Sequence, residues 1–174
     1  MNARDILIDA AVRPREAARS LSRRLTPEAL NAHPGGHDNS IAWLLWHTGR
    51  EIDAQAASLT GSEQVWYVGD YARRTGLGDA GAEVGYGHTS EQARAIRTDA
   101  AEVLVEYISE ATDALVTYLR GLSDDDLSDV IDENWDPPVT RGVRLMSIID
   151  DAAQHVGQAA YAAGAHAAGA HAAG

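Results

Sequence analysis

The chain has 174 residues, 45% of them hydrophobic, which suits a single globular domain with one substantial core. Fourteen basic residues against 26 acidic ones leave a net charge of −12, and the arginines are scattered, so nucleic acid and anionic membranes are poor partners. Cysteine is absent, which excludes disulfides, thiolate metal sites and a cysteine nucleophile; any thiol chemistry must use a thiol from outside.

No apolar run approaches the ~20 residues of a membrane span. The opening "MNARDILIDA" is charged and lacks the apolar stretch of a secretion signal, so a soluble cytoplasmic protein is expected.

Helical periodicity dominates in chain order, and no segment shows the strict alternation of a strand. The first helix is expected over about Ala3–Leu25, with Pro14 kinking or breaking it. "TPEAL" reads as a short helical start capped by Thr26. After the loop "HPGGHDNS", capped at Asn39 or Ser40, the second long helix covers about Ser40–Thr60.

Residues 61–89 lose the pattern in a Gly-rich connection long enough to be functional and to cross a bundle, which permits the second and third long helices to run parallel. "SEQARAIR" is a short helix, and the third long one starts at Thr98 or Asp99 and ends near Gly121. An acidic loop, "SDDDLSD", and the extended "ENWDPPVT" lead to a last helix, about Arg141–Ala163, capped by Thr140. The expected architecture is an all-α four-helix bundle over residues 1–164. A low-complexity "AAGAH" tail over 165–174 is expected to be frayed or disordered, its histidines His166 and His171 on different faces.

In the last helix, Arg144, Ser147, Asp151, His155 and Gln158 form one polar line beside the apolar stripe. Asp151 and His155, one turn apart, are either an ordinary intrahelical pair or two ligands of a metal. A third ligand must come from another helix, and His47, inside "IAWLLWHTGREID", is the obvious donor. Glu51 is either a further ligand or a surface partner for Arg50. His33 and His37 are expected to be solvated in their Pro-Gly loop. His88, in "GYGHTSEQ", sits beside flexible glycines at the mouth of a short helix, as a helix-cap neighbour or a proton-transfer residue. Gln158 can orient a ligand from behind.

"NSIAWLLWHTGREID" together with "PPVTRGVRLMSIIDDAAQHVGQAAYAAG" resembles the DinB-like superfamily of metal-binding four-helix proteins. The nearest-looking branch is an actinobacterial group related to the metal-binding domain of mycothiol-dependent maleylpyruvate isomerase. The resemblance implies an up-down-down-up bundle with a long crossover between its second and third helices. It also implies a metal site of one histidine from the second helix, matched by His47, and two ligands from the fourth, matched by Asp151 and His155. Asp151 departs from the histidine or glutamate usual there.

The resemblance further implies a divalent metal, zinc or nickel first, with non-haem iron also suiting the set. It points to a thiol S-transferase or isomerase acting on a small molecule, with mycothiol as cosubstrate and His88 as candidate catalytic residue. Arg50, Arg141 and Arg144 would be either anion contacts for a carboxylate-bearing substrate or surface salt-bridge residues. The alternatives are a metal-dependent hydrolase and a non-catalytic, stress-related metal-binding homodimer. A homodimer is expected in either case.

Overall fold

The computed structural model describes residues 2–172. Four long helices carry it: α1 (Ala3–Ser22), α2 (Ile41–Thr60), α3 (Ala101–Gly121) and α4 (Arg141–Ala172). Their starts follow from capping chemistry. Asn2 and Asp5 form a reciprocal capping box on α1. Ser40 Oγ accepts the Trp43 amide at 3.1 Å, and Thr140 Oγ1 accepts that of Val143 at 3.4 Å. At the end of α2, Gly61 takes a left-handed conformation (φ 73°) and returns its N–H to the Ala57 carbonyl at 2.8 Å.

Helix α1 packs on α3 and α4, and so does α2, which places α1 and α2, and likewise α3 and α4, across the diagonals of the bundle. The core falls into two layers. One joins Ala18 and Leu21 of α1, Ile41–Trp46 of α2, Leu104–Ile108 of α3, and Val156 and Ala159 of α4. The other joins Leu7 and Ala11 of α1, Ile52 and Ala56 of α2, Ala111–Leu119 of α3, and Leu145–Ala152 of α4. The order of residues through these layers gives up, down, down, up, so α2 and α3 run parallel as the long crossover allowed.

That crossover is more ordered than its glycine content suggests. It holds helical turns at Val65–Val68 and Tyr71–Arg74, a 3-10 segment at Gly78–Ala82 and a capped helix at Ser90–Ala95. Trp66 and Tyr71 are fully buried and supply the anchors that alternating patterns do not reveal.

Three expectations change. Pro14 lies buried inside an unbroken α1, so the helix tolerates one missing hydrogen bond rather than ending there. A small antiparallel pair, β1 (Val130–Asp132) and β2 (Val139–Thr140), occupies the extended segment before α4; strands this short carry no readable alternation. The last helix does not stop near Ala163 but continues through the alanine-rich tail to Ala172, where alanine's propensity outweighs Gly164 and Gly169. The side chain of His171 lies outside the described residues. Among the described residues no helix is long and apolar enough to cross a membrane.

Candidate metal centre

His47 on α2 and Asp151 and His155 on α4 come together where those two helices pack. One ligand atom from each lies within 4.8 Å of the others. Helix spacing accounts for the pair on α4, since residues four apart share a face. The amphipathic face of α2 accounts for His47, which is only 6% exposed.

Both imidazoles are oriented by backbone carbonyls. His47 Nδ1 donates to Val84 O at 2.5 Å, and His155 Nδ1 donates to Asp151 O at 2.9 Å. In that tautomer each ring keeps Nε2 as its lone-pair donor, the arrangement of a metal-ligating histidine whose other nitrogen is tied down. Trp43 stacks on His47 with ring centroids 4.5 Å apart, and the two imidazoles meet edge to face at 4.5 Å.

Asp151 supplies the sharpest signal. Its side chain is 35% exposed, yet Oδ2 is buried and accepts no hydrogen bond. His155 Nδ1 stands 3.3 Å from that oxygen, but its proton is already directed at the Asp151 carbonyl. A buried carboxylate oxygen without a donor costs roughly 1–3 kcal/mol or more. The Nε2 lone pairs of two imidazoles tied down at Nδ1, together with this oxygen, make a cation the natural partner, so the residues fit a divalent metal.

The electrostatics follow from burial and neighbours. Burial holds the His47 pKa below the usual histidine value, against the opposing Val84 carbonyl, and the neighbouring His155 adds to the depression. Burial also works against the His155 cation, but the Asp151 carboxylate and carbonyl outweigh it and hold that group above the usual value. Glu51, one turn after His47, is half-buried with its Oε2 fixed by Gln55 Nε2 at 2.9 Å. Burial first, then the Asp151 carboxylate, push its pKa up. It lies close enough to feel both α4 residues while standing outside the tight three-residue cluster.

The crossover closes one side of the site. Gly85 has φ 93°, and a Cβ there would lie 2.9 Å from His47 Nδ1 and 2.8 Å from Trp46, so only glycine lets the chain pass so close. His88 accepts the Trp43 indole N–H on Nδ1 at 3.2 Å, which leaves Nε2 to donate to Glu83 at 3.1 Å. Its ring stacks over Trp46 at 5.6 Å. His88 therefore belongs to the wall around His47, with both ring nitrogens engaged.

Arg50 departs most from its sequence reading. It is 1% exposed rather than a surface residue. Its guanidinium donates to Glu83 O, Ala82 O, Gln64 Oε1 and Tyr107 Oη, and stands 3.5 Å from Asp53. Asp53 in turn accepts the amides of Val65 and Trp66, both at 2.8 Å, and the Tyr107 hydroxyl. This network fixes the crossover that carries Val84 and Gly85. Sequence reasoning missed it because two of its acceptors are backbone carbonyls more than thirty residues away, and the Gln64 and Tyr107 side chains reach it only in the folded bundle.

Arg141 and Arg144 are engaged at the start of α4, with Asp129 and Asp132 respectively, as salt-bridge residues. In the loop before α2, His33 Nδ1 bonds the His37 carbonyl and His37 Nδ1 accepts the Asn39 amide, each side chain at least partly exposed.

The profile of the DinB superfamily matches residues 10–159. The crystal structure of the conserved protein of locus from Enterococcus faecalis is similar throughout: 34% identity, TM-score 0.86, covering 95% of this chain and 97% of that one. No curated protein matches.

Proposed function

The chain belongs to the DinB superfamily, and from that membership we propose that it is a divalent-metal-dependent enzyme of thiol transfer or thiol-dependent isomerisation. His47, Asp151 and His155 would hold the ion, zinc or nickel by the donor set. The unsatisfied, buried Asp151 Oδ2 between two imidazoles with free Nε2 atoms is the observation that carries this reading. When bound, a divalent ion supplies a Lewis acid that keeps a sulfur nucleophile in its anionic form at neutral pH.

The chain's own residues supply the rest. With no cysteine in the sequence, the nucleophile is a low-molecular-weight thiol such as mycothiol. Glu51, whose carboxyl is held by Gln55 beside the α4 pair, accepts the thiol proton on its carboxylate. Trp43, Gly85 and His88 exclude water from the His47 side. His88, the candidate for proton transfer, has Nδ1 taken by the Trp43 indole and Nε2 by Glu83, and in this reading it shapes the wall beside His47.

Metal-dependent hydrolysis is the second reading, because the same Glu51 carboxylate suits a water nucleophile equally well. Half-exposed Val143 and Met146 on α4 support pairing with a second copy, the homodimer expected in either case.

The test is conjugation of a chlorinated aromatic electrophile to mycothiol by protein of known metal content, with and without chelator. Conjugation abolished by chelator and restored by zinc or nickel supports transfer. Chelator-insensitive conjugation, or none with any bacterial thiol, removes it. Chelator-sensitive ester hydrolysis without thiol would favour the second reading.

A further inference from the structure

A groove of about 450 Å³ opens between α4 and the loop that precedes α2. Its walls include Leu44, three residues before His47, and Gln158, three residues after His155. Residues three apart on a helix are neighbours, so the groove begins one turn from the metal ligands on both helices. Its size falls in the usual range of small-molecule sites, roughly 300–1,000 Å³.

The floor is apolar, formed by Pro34, Leu44 and Ala162. Around it stand Asn39, Gln158 and Tyr161, whose side-chain polar groups make no hydrogen bond among the described residues. His37 completes the rim, its Nδ1 occupied by the Asn39 amide. No carboxylate and no guanidinium lines the space.

The arginines nearby are also committed. Arg50 is buried in its own network, and Arg94 is held by Asp38 at 2.7 Å and by Gly36 O at 3.0 Å. Arg141 and Arg144 pair with acids at the other end of α4. The charges beside the metal ligands are instead the carboxyls of Glu51 and Glu83, on a chain of net charge −12. A carboxylate held in the body of this groove, away from the metal ligands, finds no arginine to pair with and gives up its hydration without an ionic partner.

We infer that this groove takes the body of an uncharged substrate: an apolar portion over Leu44 and Ala162, and an amide, carbonyl or hydroxyl group for Asn39, Gln158 and Tyr161. Its reacting end then reaches the metal ligands. The inference rests on the metal reading of His47, Asp151 and His155, and excludes the anionic substrates for which Arg50, Arg141 and Arg144 were candidates.

Binding of hydroxamates to the zinc-loaded protein tests this without any activity, because the hydroxamate head ligates zinc while the rest probes the groove. Calorimetry should show benzohydroxamate binding at least tenfold more tightly than acetohydroxamate. A 4-carboxy substituent on the benzohydroxamate should cost at least tenfold. Gly157 lines the groove, and a Cβ there meets nothing within 4 Å, so the helix accepts a side chain at this position and Gly157→Leu adds apolar bulk at the groove wall. That variant should lose the aryl preference while binding acetohydroxamate as before.

An aryl preference that survives Gly157→Leu, or a carboxylated probe that binds as well as its parent, overturns the inference. Zinc content near zero in the wild-type protein overturns the metal reading instead and takes this inference with it.

Discussion

The Val84 carbonyl takes the Nδ1 proton of His47 at 2.5 Å, so a residue of the irregular crossover decides which nitrogen the α2 imidazole offers to α4. The candidate site thus has three supports: two helices that bring ligands, and one loop that fixes a tautomer.

The ligand assignment predicts metal content directly. Wild-type protein should carry close to one divalent ion per chain by elemental analysis, and His47→Ala and His155→Ala should fall to background. Chelation should lower the wild-type melting temperature, since an ion present at a hundredfold its Kd contributes about 2.7 kcal/mol. It should leave the variants unmoved. Equal metal content in wild type and His155→Ala would discard the assignment.

Gly85 should be irreplaceable by alanine. The positive φ costs about 1–3 kcal/mol for a residue with a Cβ, and the added atom presses on His47 Nδ1. Gly85→Ala is expected to lower both the stability and, by about 10–100-fold, the metal affinity, because it displaces the bond that orients the ring. Unchanged affinity by competition with a chromophoric chelator would show that the crossover does not position His47.

In the metal-free protein the two histidines pull stability in opposite directions with pH. His155 has a raised folded pKa, so its contribution is complete below about 6.5 and is lost as pH rises through that raised value. His47 has a lowered folded pKa, so its contribution is present above about 6.5 and is lost as pH falls through the lowered value. Asp151→Asn removes the chief cause of the His155 shift. It should therefore destabilise the chelated protein more at pH 6 than at pH 8.5, as read by thermal melts; a pH-independent difference would contradict the pairing.

Arg50 tests the frame behind the site. Arg50→Met leaves Asp53 buried beside Tyr107 without its cation, which costs about 3–5 kcal/mol in comparable buried pairs. Urea denaturation should show that loss, and zinc affinity should weaken with it because Val84 and Gly85 hang from the same network. A loss under 1 kcal/mol would mean that the ion pair does not hold the crossover.

The bundle was legible because four amphipathic helices announce themselves by spacing, and Ser40 and Thr140 start two of them where capping chemistry says they should. The three residues that meet at the α2–α4 contact were legible too: Asp151 and His155 from helical spacing, His47 from its neighbours. What surrounds them was not. Val84 acts through its backbone, which no side-chain pattern encodes. Gly85 was one glycine among many in a Gly-rich stretch. Arg50 carries the residue type most often found at the surface, and its burial depends on carbonyls of Ala82 and Glu83 that only the folded crossover delivers.

The diagonal placement of consecutive helices has a consequence for how the site is put together. Because α1 and α2 are not packed neighbours, residues 3–60 contain no native helix-on-helix contact of their own on the scale of those that α1 and α2 make with α3 and α4. Both helices find their packing in α3 and α4, and His47 finds its partners in the last helix. The candidate site is therefore closed only once α4 has packed on α2, so its geometry depends on the assembled bundle rather than on any one pair of consecutive helices.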